Sequence, residues 1–173
     1  NLEGLIITGD IATSYMDVYD NSILSRAKTQ YQNIVDTLDG TMLCGNEHAY
    51  FMKGKVVVGS ANPETMEQFL EDDDLVIMGN RYDAQICALE SNASCIVIAG
   101  SPQVPKTIVK MAEEKHCVLI TTDYDTYTAA RLINQSMPIS YFMTREHLIT
   151  FNSDDYIDEI REVMASKRHR DFP

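Results

Sequence analysis

A chain of 173 residues, 45% of them apolar, has material for one buried core and too little for several. Its 26 Asp and Glu against 14 Lys and Arg give a formal net charge of -12, which repels phosphate backbones and argues against a nucleic-acid partner. No apolar run approaches the roughly 18 residues that cross a bilayer and no charged-then-apolar leader opens the chain, so the expectation is a soluble, cytoplasmic protein with no membrane contact.

In chain order, "GLIITGDIA" at 4–12 reads as an apolar strand entering a helix, with Asp10 at the turn. Both ends read as cut from something longer, since the chain begins without Met and stops at "DFP" as another strand begins. Residues 22–38 predict one linking helix, because Ile23, Ala27, Tyr31, Ile34 and Leu38 recur at helical spacing. Residues 55–142 then carry a rhythm of short apolar runs, "KVVVGS", "DLVIMGN", "SCIVIAG" and "CVLITT", each followed by a helix-compatible stretch. Continuous rather than alternating apolarity marks strands buried on both faces. The fold class is therefore α/β, a mostly parallel layered sheet of about five strands with helices.

The intervening segments agree. In "SPQVPKTIVKMAEEK", Pro105 suits a first helical turn and Ile108, Met111 and Ala112 share a face. In "DYDTYTAARLINQ", Asp125 caps a helix whose apolar set is Ala129, Ala130 and Ile133. A fifth strand is predicted at "ISYFM", residues 139–143, after the break at Pro138. The segment "LITFNSDDYIDEIREVMASKRHRDFP" predicts a short strand, an Asp cap and an amphipathic helix carrying Ile157, Ile160, Val163 and Met164. The densest basic run, Lys167 to Arg170, follows that helix.

Chemistry has two places to sit. The strands end in Gly59-Ser60, Gly79-Asn80, Gly100-Ser101 and Thr121-Thr122-Asp123, and ligands of open α/β sheets lie at that carboxyl edge. Arg81 is the cation placed there, so Ser60, Asn80, Arg81, Ser101 and Asp123 form a possible small-anion site; the same residue types serve equally as caps of tight turns. The second place joins the two ends. Asp10 can bridge two ribose hydroxyls, and Lys167, Arg168, His169 and Arg170 offer charge and donors for phosphate. Their plain alternatives are a helix N-cap and a solvated helix terminus.

Other features point away from catalysis. Asp72-Asp73-Asp74 and the pair Asp123 and Asp125 could ligate a hard cation or simply cap turns, and no His or Cys pair has zinc spacing, so no metal is inferred. Cys44, Cys87, Cys95 and Cys117 read as free thiols, with no C-x-x-C among them. The nucleotide-hydrolase, dinucleotide and serine-hydrolase glycine motifs are missing, so no catalytic residue is assigned.

These segments, taken together, carry a resemblance. "GLIITGDIA" resembles the end of a CBS motif and "LITFNSDDYIDEIREVMASKRHRDFP" the start of a second; "LVIMGNRYDAQICALESNASCIVIAG" and "LITTDYDTYTAARLINQSMPISYFM" between them resemble the DRTGG domain. That order resembles the regulatory insert of bacterial CBS-domain family II inorganic pyrophosphatases, the manganese-dependent class. The resemblance implies residues 1–21 as the close of a first CBS motif, 22–38 as a link, 39–143 as a DRTGG-like domain and 144–173 as the opening of a second CBS motif. It further implies a non-catalytic homodimer that senses adenine nucleotides, AMP and ADP inhibiting while ATP or a diadenosine polyphosphate activates. Thr8 and Asp10 would hold the ribose and Lys167 to Arg170 the phosphates. Catalysis, with Mn or Mg, would belong to separate DHH-type domains outside these residues.

Overall fold

The computed structural model describes residues 20–100, 103–143 and 149–167. The chain divides after Tyr141 into two compact units. In the first, the four apolar runs form the parallel strands β4 (Val56–Val58), β5 (Leu75–Met78), β6 (Cys95–Ala99) and β7 (Val118–Thr122). They pair in register, Val56 with Leu75, Leu75 with Cys95 and Cys95 with Val118. β2 (Thr41–Cys44) adds antiparallel to β7, giving a five-stranded sheet in the order β2-β7-β6-β5-β4. This is the mostly parallel α/β sheet that the sequence predicts.

Burial explains the pattern. Every residue of β5 and β6 is buried, as strands covered on both faces must be. On one face Val76, Met78, Ile96, Ile98 and Leu119 meet α3 (Pro63–Met66), α4 (Tyr82–Glu90) and α5 (Lys106–Glu114) through Met66, Ala88, Ile108 and Ala112. α6 (Thr126–Leu132) packs on β5 and β6, and the alternation of strand side chains presents Leu75, Ile77, Cys95 and Val97 to the face opposite the first. Pro105 is the N-cap of α5, with its φ of -59° preset for the turn. Asp125 caps α6 by accepting from the backbone N–H of Tyr127 and Thr128 and from the Thr128 hydroxyl.

Those bonds to Thr128 and the neighbouring amides hold the Asp125 carboxyl below its ordinary range. A carboxylate with a depressed folded value stabilises above its unfolded value, and its contribution is lost as pH falls through the folded value. Asp125→Ala is expected to lower the melting temperature by about a few degrees at neutral pH and by less in acid, read by circular dichroism at both.

Two predicted elements differ. Residues 22–38 are not one helix: α1 (Ile23–Arg26) stops, Lys28 takes a left-handed φ of 52°, β1 (Thr29–Gln30) follows, and α2 (Tyr31–Thr37) begins anew. β1 pairs antiparallel with β3 (Tyr50–Phe51), and the buried Thr29 hydroxyl donates to Leu24 O at 2.9 Å, which offsets the helical bonds given up. Ile23, Ala27, Tyr31, Ile34 and Leu38 are nonetheless all buried, so the periodicity reported burial and not continuity. The predicted strand at 139–143 is also absent: Ile139–Tyr141 form a 3-10 turn closed by Tyr141 N–H donating to Pro138 O. The fifth strand is β2, whose alternating half-exposure marks an edge. Gly40 lets it approach, since an added Cβ would lie 2.8 Å from Thr121 O.

In the second unit the amphipathic helix is α7 (Ile157–Lys167), with Asp158 and Glu159 in its first turn. Residues 149–151 form no strand, contrary to expectation. Asp155 accepts from Asn152 N–H at 2.6 Å, closing the turn before α7 instead of capping it. Among the described residues no helix is long and apolar enough to cross a membrane.

Candidate functional site

Four parallel strands bring their ends to one edge, and there the topology gathers Ser60, Asn80, Arg81 and Asp123. Ser101 lies outside the described residues. Gly79 and Gly100 form an open floor, because an added Cβ at either meets no atom within 4 Å. Gly100, at φ 90°, donates its N–H to both Thr122 O and Tyr124 O, which fixes the turn leaving β6 against the end of β7.

The charge at this edge is already matched. Arg81 grips Asp83 with two bonds, Nη2 to Oδ2 at 2.6 Å and Nε to Oδ1 at 3.3 Å, and gives Nη1 to Ala61 O at 3.2 Å. The Arg81 hydrogen bond holds the Asp83 carboxyl below its ordinary value. A guanidinium so engaged presents little net charge to an incoming anion. Asn80 Oδ1 accepts from Gln85 Nε2 at 3.2 Å, and Ser60 gives its backbone N–H to Val58 O.

Gln85 was not singled out from the sequence. Its side chain is fully buried on α4, and its Oε1 has no hydrogen-bond partner among the described residues. The readable signal was a Gln within "YDAQICALE", on a stretch whose neighbours Ala84, Ala88 and Leu89 all face inward. The acidic run was underread too. Asp74 is buried, and its carboxylate accepts from Lys55 N–H and Glu71 N–H, each at 3.0 Å, so it organises backbone. Among the described residues no three His, Cys, Asp or Glu side chains converge as metal ligands.

All four cysteines are free, with Cys87, Cys95 and Cys117 buried and Cys44 half-buried. Burial pushes the Cys117 thiol up to about 12 and Cys95 well above its ordinary value, which leaves both poor nucleophiles. Of the proposed nucleotide contacts, Thr8, Asp10, Arg168, His169 and Arg170 lie outside the described residues, and Lys167 is the last residue of α7.

Comparison with known proteins places this arrangement. The DRTGG domain family matches residues 33–136. A cobalt-dependent inorganic pyrophosphatase of Clostridium perfringens is 33% identical over 173 residues, all of this chain and 32% of that protein. A probable manganese-dependent inorganic pyrophosphatase of Thermotoga maritima is 24% identical over 167 residues, 96% of this chain and 30% of that protein. The chain thus spans about a third of the length of these relatives. Among solved structures, the CBS and DRTGG domains of the regulatory region of Clostridium perfringens pyrophosphatase, complexed with the activator diadenosine tetraphosphate, match with a TM-score of 0.87 and 33% identity. That match covers 97% of this chain and 73% of the other. The chain belongs to the DRTGG domain family and is a homologue of the CBS-DRTGG regulatory region of the clostridial pyrophosphatase.

Proposed function

We propose that this chain is the adenine-nucleotide-sensing, non-catalytic regulatory region of a cytoplasmic inorganic pyrophosphatase. The observation that carries the reading is the match across nearly the whole chain to a regulatory region complexed with diadenosine tetraphosphate. Residues 1–21 and 144–173 supply parts of two CBS motifs, 22–38 link them inward, and 39–143 form the DRTGG domain that couples two copies in a homodimer. Asp10, with Thr8, takes the ribose hydroxyls; Lys167, Arg168, His169 and Arg170 take phosphate oxygens. Hydrolysis of pyrophosphate, with its Mn, Co or Mg ions, belongs to other domains of the same protein.

Regulation follows from differential binding. A ligand moves an equilibrium only as far as it prefers one arrangement over the other. AMP and ADP place one or two phosphates near the basic run, whereas ATP and diadenosine polyphosphates place more, so the two groups favour different arrangements. The anion reading of the carboxyl edge is the weaker one, because Arg81 already has three of its five N–H donors engaged by Asp83 and Ala61 and its charge paired with Asp83.

The test is the double variant Arg168→Ala, Arg170→Ala in the full-length protein. With each lost charge-assisted bond worth about 1.5 kcal/mol or more, diadenosine tetraphosphate should bind about 100-fold more weakly and cease to activate. Unchanged affinity and unchanged regulation would overturn the assignment of the basic run.

A further inference from the structure

Among the described residues, the buried side-chain atom that the fold leaves without a hydrogen-bond partner belongs to Gln85: its Oε1 accepts from nothing, in a residue with no exposed surface. A buried amide oxygen so placed is costly and rare, and calls for a partner from outside the chain.

The amide lies at the carboxyl edge of the sheet. A helical side chain leans toward the N-terminus of its own helix, and Gln85, on the nine-residue α4, reaches back to Asn80, where Nε2 donates to Oδ1 at 3.2 Å. Asn80 follows Gly79 at the end of β5, so the Gln85 amide is aimed at the turn where that strand enters its helix. Asn80 satisfies only one end of it. Reversing both amides keeps that bond and leaves Nε2 in place of Oε1 unpaired, so the missing partner is owed to an amide end in either orientation.

The surroundings supply room and a flat surface but no free charge. An added Cβ at Gly79 meets no atom within 4 Å, which leaves space beside Asn80. Arg81, the N-cap of α4, makes no side-chain cap to the first turn, and its guanidinium is paired with Asp83. Tyr82 opens α4 three residues before Gln85, at a neighbouring position on the helix surface, and is 49% exposed.

We infer that this edge binds a small neutral ligand with a flat ring and an amide edge, either a primary carboxamide or the N–H and C=O edge of a heterocyclic base. The ligand displaces the exposed Asn80 side chain and pairs with both ends of the Gln85 amide, donating to Oε1 and accepting from Nε2, while its ring lies on Tyr82. One hydrogen bond is given up and two are made, which leaves no buried atom of Gln85 unpaired. The contact uses the amide and not the Arg81 charge, and it stands or falls without the nucleotide contacts proposed above.

The experiment is a titration of the 15N-labelled chain with nicotinamide, followed at the backbone amides of Gly79, Asn80 and Tyr82 and at the Gln85 side-chain amide. The comparison ligands are 3-acetylpyridine, which keeps the ring and carbonyl but has no N–H, and nicotinate, an anion of the same shape. Nicotinamide should give saturable shifts at those groups, 3-acetylpyridine should bind at least about tenfold more weakly for the lost hydrogen bond, and nicotinate should give none. Gln85→Leu removes the unpaired atom, so the chain should melt no lower than the parent while nicotinamide ceases to shift the three backbone amides. Gly79→Val, which fills the open space without a clash, should abolish the shifts independently of Gln85. No binding of nicotinamide, equal binding of 3-acetylpyridine or nicotinate, or undiminished binding in either variant would overturn the proposal.

Discussion

Gly54→Ala is expected to unfold the chain at ordinary temperature. Gly54 has a φ of 82°, and an added Cβ would lie 2.8 Å from Asp74 N and closer still to the Asp73 carbonyl. Those are backbone atoms of a turn that cannot yield, because Asp74 ties it to Lys55 and Glu71 while Ser94 Oγ holds Asp73 O. Left-handed strain of about 1 kcal/mol adds to a backbone clash of several, against a total stability of about 5–15 kcal/mol. The check is urea unfolding followed by circular dichroism. A midpoint within about 0.3 M of the parent would show that the turn can open, and would refute this account of it.

Asp74→Ala should be the next most damaging change. Asp74 is only 1% exposed and satisfies two backbone donors of half-buried bonds at once. Removing it strands both N–H groups, at a cost of about 3 kcal/mol, whereas Asp74→Asn keeps one acceptor and most of the shape and should cost about half as much. Because Gly54 and Asp74 share one turn, their effects should combine to less than their sum in a double-mutant cycle. Both replacements act on stability alone. Nucleotide binding by the surviving folded fraction should be unchanged, which separates this turn from the residues proposed to hold the nucleotide.

The sheet was legible because its signal is strong and local. Four continuous apolar runs ending in Gly or in Thr-Asp describe strands covered on both faces, which holds for β5, β6 and nearly all of β7, whereas β4 is a half-exposed edge, with Val58 41% exposed. β2 was not legible for the converse reason: "TMLC" is short, half-exposed and set by pairing with Thr121 across about 80 residues, which no local pattern encodes. The break at Lys28 was hidden because two short helices kept one buried face across it, so the 3.6-residue period survived the loss of the helix. "ISYFM" has strand propensity, yet Pro138 closes a 3-10 turn onto Tyr141 and no sheet edge receives the segment.

Sites divided in the same way. Asp125 was read correctly as a cap because an Asp before a helix has one dominant local use. Arg81 looked available to an anion in the sequence, where Asp83 two residues on gave no sign of its bidentate grip. A cavity at the amino edge of the sheet joins Tyr31, the 45–49 loop, Ser94 and Glu113, which are far apart in sequence and meet only through the sheet.

The central claim is that this region senses adenine nucleotides. Isothermal titration of diadenosine tetraphosphate and of AMP into the full-length protein, with pyrophosphate hydrolysis followed in parallel, tests it most directly. The account predicts saturable binding of both, mutual displacement, and opposite effects on hydrolysis. No binding of either nucleotide, with the full-length protein folded and its hydrolysis intact, would contradict it and leave the region a scaffold that spaces the rest of the protein.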